Sequence, residues 1–559
     1  MGLPQREIGA WLPGLYATTG SKNQFKFRSS KVSRARPSQQ ARPSLTRAAH
    51  LFCLLATAAL SCAAPAAARV VPGFGEVSFP TSCRPSVQAG FETAIARLHA
   101  FDDPEDAFKA VAAADPHCAI AWWGAAMTVR GNPLAGAPGH DAFEAGQADI
   151  ARALAAGPRT AHEAGLIRAL AVYYRNPAED HAVRTRAYEA AMRRLAAAYP
   201  GDVEIAAFHA LPVLEAVDLT DTSLARQREA ASLLEPLWAA HPRHPGLPHY
   251  LIHADDYPPL AARGLPAART YAAIAPAGHH ALHMPSHIYV MLGMWEDAIA
   301  ANRTASSLYM GPGHDAAALD ADDPHGFDFI AYAQLQLGQD DAVRAALADA
   351  PPSDERVLVQ ARFLLERGDW AGAAAILTEG LSPFQRITAE FIRALGLART
   401  GQADAARAEV AALRALRGPV LREHGAYWAG LVDVYAEAAE AWTQYAAGDV
   451  PGALAAMGRA ADADDARQKH ILLENRLYPL RELYADLLEA AGQPQQALAA
   501  YRASMAVAPN RLNGLLGAVR AARALRQEDA ARRYAAAAAA LVAYAAPGRP
   551  TFAAVQSGP

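Results

Sequence analysis

Apolar residues recur at one-turn spacing from Ser86 onward, with Val87, Phe91, Ile95 and Leu98 striping one face, until Phe101-Asp-Asp-Pro104 ends the element. A second helix is predicted around Ala107-Phe108 and Val111, ending at Asp115-Pro116, and a third opens with Cys118-Ala-Ile-Ala-Trp122-Trp123-Gly124-Ala-Ala-Met127. Helix, short turn, helix and then Asp-Pro is the grammar of a helical hairpin. Small residues such as Gly124 and Ala126 let the paired helices approach, and large ones such as Trp123 fill the groove between them.

The pattern repeats downstream. Gly293, Gly338, Gly368, Gly401, Gly448 and Gly492 each fall at an expected inter-helix turn, and five residues after each stand Ala298, Val343, Ala373, Ala406, Ala453 and Ala497. The last unit is the fullest: Ala485 and Leu488 on its first helix, Ala497, Tyr501 and Ser504 on its second, then Pro509. The glycines are unevenly spaced, so the expected fold is all-α, an irregular α-solenoid of tetratricopeptide-like (TPR-like) hairpins. No alternating strand pattern is evident. Arg523 to Val542 reads as an alanine-heavy capping helix, and Gly311 to Pro324, with Asp315, Asp320, Asp322 and Asp323, as one long acidic insertion without helix.

Candidate chemistry sits between two stretches of this scaffold. Ten of the nineteen histidines lie between His241 and His325. His249 and His253 are four apart, as are His283 and His287, and His325 follows Asp323-Pro324, a good helix start. Histidines four apart share a helix face and can reach one ion, so two such pairs would fill a four-coordinate site, with His325 as a fifth candidate. Imidazole donors suit zinc or copper, and Asp255, Asp256 or Asp328 could add oxygen ligands or orient the rings. The plainer alternative is a set of neutral core imidazoles, each donating to a nearby acceptor. Pro248 suits the start of a helix carrying His249 and His253. Pro285 lies between His283 and His287: in a first helical turn it lets that pair converge, but if it begins the helix His283 belongs to the preceding loop.

Composition changes the picture at the N-terminus. Arg42 and Arg47 precede an apolar run from Ala48 to Leu60 and a small-residue segment that allows cleavage after Ala66 or Ala68, the pattern of an export signal. The run is short for a membrane span, and Cys62 offers a lipidated alternative. Without residues 1–68 the chain has 43 basic and 55 acidic residues, about −12 overall, which argues against nucleic acid and anionic lipid as partners. Cys83 and Cys118 remain; they form either one disulfide, in keeping with export, or two buried free thiols. The expected organisation is a leader over 1–68, N-terminal hairpins over 79–240, a His-rich segment over 241–330, C-terminal hairpins over 331–541 and a disordered tail over 542–559.

Cys118-Ala-Ile-Ala-Trp-Trp-Gly124, His244-Pro-Gly-Leu-Pro-His249-Tyr-Leu-Ile-His253, His283-Met-Pro-Ser-His287-Ile-Tyr and Lys469-His470 with Pro479-Leu-Arg481-Glu482-Leu resemble a family of bacterial exported tetratricopeptide-repeat proteins, mostly uncharacterised. The resemblance runs from about Phe79 to Leu541 and implies the helical repeat fold and export; it brings no reaction with it. His-Glu-x-x-His, a Gly-x-Ser-x-Gly elbow and a phosphate-binding glycine loop are all missing. Two functions follow. One is a periplasmic or secreted scaffold binding a peptide, protein or small molecule in a superhelical groove, where Tyr289, Trp295, Tyr427, Trp428 and Trp442 either line the groove or pack between helices. The other is a metal-dependent enzyme, a hydrolase or a copper redox enzyme, built on the same array.

Overall fold

The computed structural model describes residues 68–219, 221–470, 476–543 and 545; all but the last residue of the expected leader and most of the expected tail lie outside them. The described residues form an all-α array in which each helix packs chiefly on its neighbours in sequence, as in the pairs Pro383–Arg399 with Ala403–Ala415, Ala426–Ala446 with Val450–Asp465, and Leu480–Ala490 with Pro494–Val507. One exception precedes the array. Arg69–Val71 and Gly75–Val77 form an antiparallel hairpin, with Val71 opposite Gly75. Strands of three residues are too short to show alternation, which is why the sequence pattern gave no sign of them.

The glycine–alanine register has a physical basis at both positions. All six glycines have positive φ, between 65° and 91°. After each, the next residue donates its N–H to a carbonyl five residues back: Met294 to Tyr289, Gln339 to Gln334, Asp369 to Leu364, Gln402 to Leu397, Asp449 to Gln444 and Gln493 to Leu488, each at 2.9 Å. This is the Schellman closure, which satisfies a helix-end carbonyl and needs a left-handed residue just before the donor. The residues five on, Ala298, Val343, Ala373, Ala406, Ala453 and Ala497, are all fully buried, at the point where the returning helix meets its partner. Gly124 acts by size instead: a Cβ there would lie 2.4 Å from the Phe108 ring.

Two further expectations change. The Gly311–Pro324 insertion is not free of helix: Ala316–Ala321 is helical, capped by Asp315, which accepts from the Ala318 N–H. The capping helix expected from Arg523 to Val542 is two helices, Leu512–Ala524 and Glu528–Leu541, parted by a turn in which Arg526 adopts φ 57°. Gln527 donates to Ala522 O at 2.9 Å there, and Ala531 is buried five residues after Arg526, so this is a seventh turn of the same kind with arginine in the glycine position. Of the two readings of the aromatics, packing between helices is the one found: Trp295, Trp428 and Trp442 are buried in helix-to-helix cores, with Tyr289 and Tyr427 packed at their edges. Cys83 and Cys118 are joined as a disulfide. Among the described residues no helix is long and apolar enough to cross a membrane.

Candidate metal centre

His249 and His253 belong to the helix Gly246–Asp255, which lies against the end of the helix Pro85–His99. Gly246 permits this approach, because a Cβ there would sit 2.4 Å from His99 Nδ1. His99 O then accepts a hydrogen bond of 2.6 Å from His249 Nδ1. With its proton on Nδ1, a neutral His249 presents a lone pair at Nε2, and His253 Nε2 and His280 Nε2 each lie 3.1 Å from that atom. One in-plane lone pair cannot accept well from two N–H donors, so hydrogen bonding alone does not account for three nitrogens turned to one point.

The second helical pair survives its proline. His279–His283 and Pro285–Met291 are separate helices, with Pro285 at the start of the second, but Met284 between them keeps right-handed helical dihedrals and the two run on as one path. His283 is therefore at a helix end rather than in a loop, and His283 Nε2 lies 3.0 Å from His287 Nε2. Both tautomers are set from outside. His283 Nδ1 donates to Asn302 Oδ1 at 2.6 Å, and that amide is oriented by its own donation to Ala298 O at 2.8 Å. His287 Nδ1 donates to Asp256 Oδ2 at 2.8 Å. In their neutral forms two rings so anchored turn lone pair toward lone pair, an arrangement that is repulsive without a cation or proton between them.

The ligand atoms group not as one set of four but as two sets of three: His249, His253 and His280, and His283, His287 and His325, each within 4.8 Å of one another. The sets adjoin, with ring centroids 6.1 Å apart for His253 and His287 and 6.2 Å for His280 and His283. In both, two rings are buried and the third, His280 or His325, is half-buried. His280 was missed by the sequence reading, which looked for pairs four apart; His280 and His283 are three apart yet serve different sets. Phe101, at φ 52°, packs its ring over the first set at 4.5 Å from His249, 5.9 Å from His253 and 5.4 Å from His280.

Burial favours the neutral form of four of the rings. It pushes His249 down to about 3, against a small upward pull from the His99 carbonyl, and pushes His253, His280 and His283 well below their ordinary value, with neighbouring histidines adding to the effect. Burial would raise the Asp256 carboxyl, but the Lys469 ammonium and His287 beside it hold it well below the usual range. Of the three candidate carboxylates only Asp256 touches a ring: Asp255 pairs with Arg263 and Asp328 with Arg362. A third cluster, His99, Glu204 and His244, is satisfied internally. His99 Nε2 donates to Glu204 at 2.8 Å while Tyr250 OH donates to Nδ1 at 2.9 Å, and His244 Nδ1 accepts from the Gly246 N–H. It supports the first triad through the His99 carbonyl.

A cavity of about 180 Å³ opens beside the centre, reaching His253 and Asp256. Its wall is assembled from the turn Pro133–Ala135, the end of the helix Val203–Glu215, and Lys469-His470 from far downstream.

No family model matches the chain, and no curated protein matches it. Among solved structures it is similar to the TPR domain of P58(IPK), at 13% identity and a TM-score of 0.20, over 79% of this chain and 99% of that one. It is also similar to the Naa15/Naa10 complex bound to HypK-THB, at 13% identity and a TM-score of 0.19, over 84% of this chain and 70% of that one. At such scores neither likeness carries an argument, and the hairpin architecture rests on the turns and packing described above.

Proposed function

We propose that this chain is an exported helical-hairpin scaffold that holds two transition-metal ions in adjacent three-imidazole sites, one through His249, His253 and His280 and one through His283, His287 and His325, and that the ion is copper. The observation that carries the reading is the 3.0 Å approach of His283 Nε2 to His287 Nε2, with both Nδ1 atoms already committed to Asn302 and Asp256. A proton shared between the rings is the competing explanation: burial disfavours it at His283, the Asp256 carboxylate favours it at His287, and metal content separates the two. Copper is favoured over zinc because all six donors are imidazoles, which ligate without adding negative charge, and the nearby Asp256 charge is already shared with Lys469, so a buried ion able to take the lower charge costs less to hold. Bound copper would supply one-electron chemistry beside the cavity, making the protein a redox enzyme for a small molecule. Export is supported by the Cys83–Cys118 disulfide as well as by the leader pattern. Asp256 orients His287, and Asn302 orients His283; neither ligates.

Elemental analysis of protein purified without chelators is the test. Two copper ions per chain are expected; zinc in their place would point to hydrolysis, and a chain that holds no transition metal and takes up none on titration contradicts the proposal.

A further inference from the structure

The cavity beside the two triads carries information about what it holds. Its wall is mixed: Pro133, Leu134, Leu214, Val217 and Leu219 form an apolar part, Glu215, Lys469 and His470 a polar one, and it ends on His253 of the first triad and Asp256, the anchor of the second. At about 180 Å³ it is somewhat larger than the roughly 150 Å³ apolar cavity known to accept a benzene ring. Asp256 is 2% exposed, and its two oxygens differ. Oδ2 accepts from His287 Nδ1 and from Lys469 Nζ, whereas Oδ1 is buried with no hydrogen-bond partner among the described residues. A buried carboxylate oxygen left without a donor is costly, and a ligand or water that donates there recovers that cost.

We propose that this cavity takes a small molecule of single-ring size bearing a hydroxyl group, whose O–H donates to Asp256 Oδ1 beside His253. The inference names the substrate class of the metal centre and so rests on that reading, although ring binding itself does not need the ion. An uncharged ring suits this wall, because its charges are already paired, Glu215 with Arg130 and Asp256 with Lys469: an anionic group would have to face both carboxylates and a cationic one would compete for them. A hydroxyl satisfies the open oxygen without adding charge. A ring held this way lies against His253 of the first triad and against Asp256, the residue that orients His287 of the second.

The experiment is a binding titration of the full chain, metal-free and metal-loaded, with phenol as probe and anisole, the same ring without a donor, as comparison. Metal content is measured on the same samples. Phenol should bind saturably and about tenfold or more tighter than anisole, the difference expected for a hydrogen bond to a charged acceptor. Asp256→Asn should bring the two ligands close to parity, and Val217→Trp, at a half-exposed wall position, should abolish binding of both. Equal affinities for phenol and anisole, a phenol preference that persists in Asp256→Asn, or unchanged binding in Val217→Trp would each overturn the proposal. Any of these in a protein that still loads its metal fully would leave the metal reading standing; loss of metal with phenol binding intact would do the reverse.

Discussion

Phe101 occupies a left-handed conformation that six of the seven comparable turns leave to glycine and one to Arg526, and Asp102 behind it makes the same five-back hydrogen bond, to Arg97 O at 3.0 Å. A bulky residue there carries backbone strain of about 1 kcal/mol or more, retained where the side chain does something glycine cannot. Here the ring contacts all three imidazoles of the first triad. Phe101→Gly is expected to keep the turn and yet weaken metal retention at that triad about tenfold, the usual effect of losing a supporting contact; chelator competition giving unchanged affinity would show the ring to be mere packing. The buried histidines also set a pH dependence. His249 titrates near 3 in the fold but near 6.5 when unfolded, so below 6.5 the unfolded chain binds more protons. Stability of the metal-free protein should therefore be full above about pH 7 and fall as pH drops through 6.5, by about 1.4 kcal/mol per pH unit for each ring held neutral. A melting temperature that stays flat down to pH 5 would mean that the rings are not held neutral. At this scale the pairs 249/253 and 283/287 and the later His325 were legible, because helical spacing puts them on one face. His280 was not, since its partners lie about thirty residues upstream and only the fold brings them to it.

Among elements, the turns were the most legible part of the chain. Glycine at a left-handed position and a buried small residue five later are local requirements, and local requirements leave marks in sequence. The seventh turn escaped because Arg526 stands where the glycine was sought, and the alanine-rich sequence on either side then read as one helix. Gly448, at φ 91° with open space around its absent Cβ, isolates the backbone effect. Gly448→Ala should cost about 1 kcal/mol locally and speed exchange of the Asp449 amide about fivefold, while Arg526→Gly should slow or leave unchanged exchange at Gln527. Exchange at Asp449 unaffected by the alanine would show that the turn does not depend on its glycine. The proline between His283 and His287 left two outcomes open, and Met284 decided between them by staying helical.

At the scale of the whole molecule, the array returns on itself in ways that periodicity cannot reveal. Trp295 Nε1 donates to Asn510 O at 2.9 Å, and Arg511, fully buried, joins Glu482 to Tyr332, so the last hairpins are seated on the helices Trp295–Met310 and Pro324–Gln336. Lys469 reaches Asp256 across 213 residues of sequence, and Gln468 donates to Asp221 O. The Lys469 contact closes the cavity wall beside His253; all of them depend on how successive hairpins accumulate rotation, which no single stretch of sequence encodes. The same closure separates one four-coordinate site from two triads experimentally. Metal content should be compared for the native chain, His253→Ala with His280→Ala, and His283→Ala with His325→Ala. Two independent triads give about two ions per chain in the native protein and about one in each double variant; one ion in the native chain, lost in both variants, would contradict the two-site account.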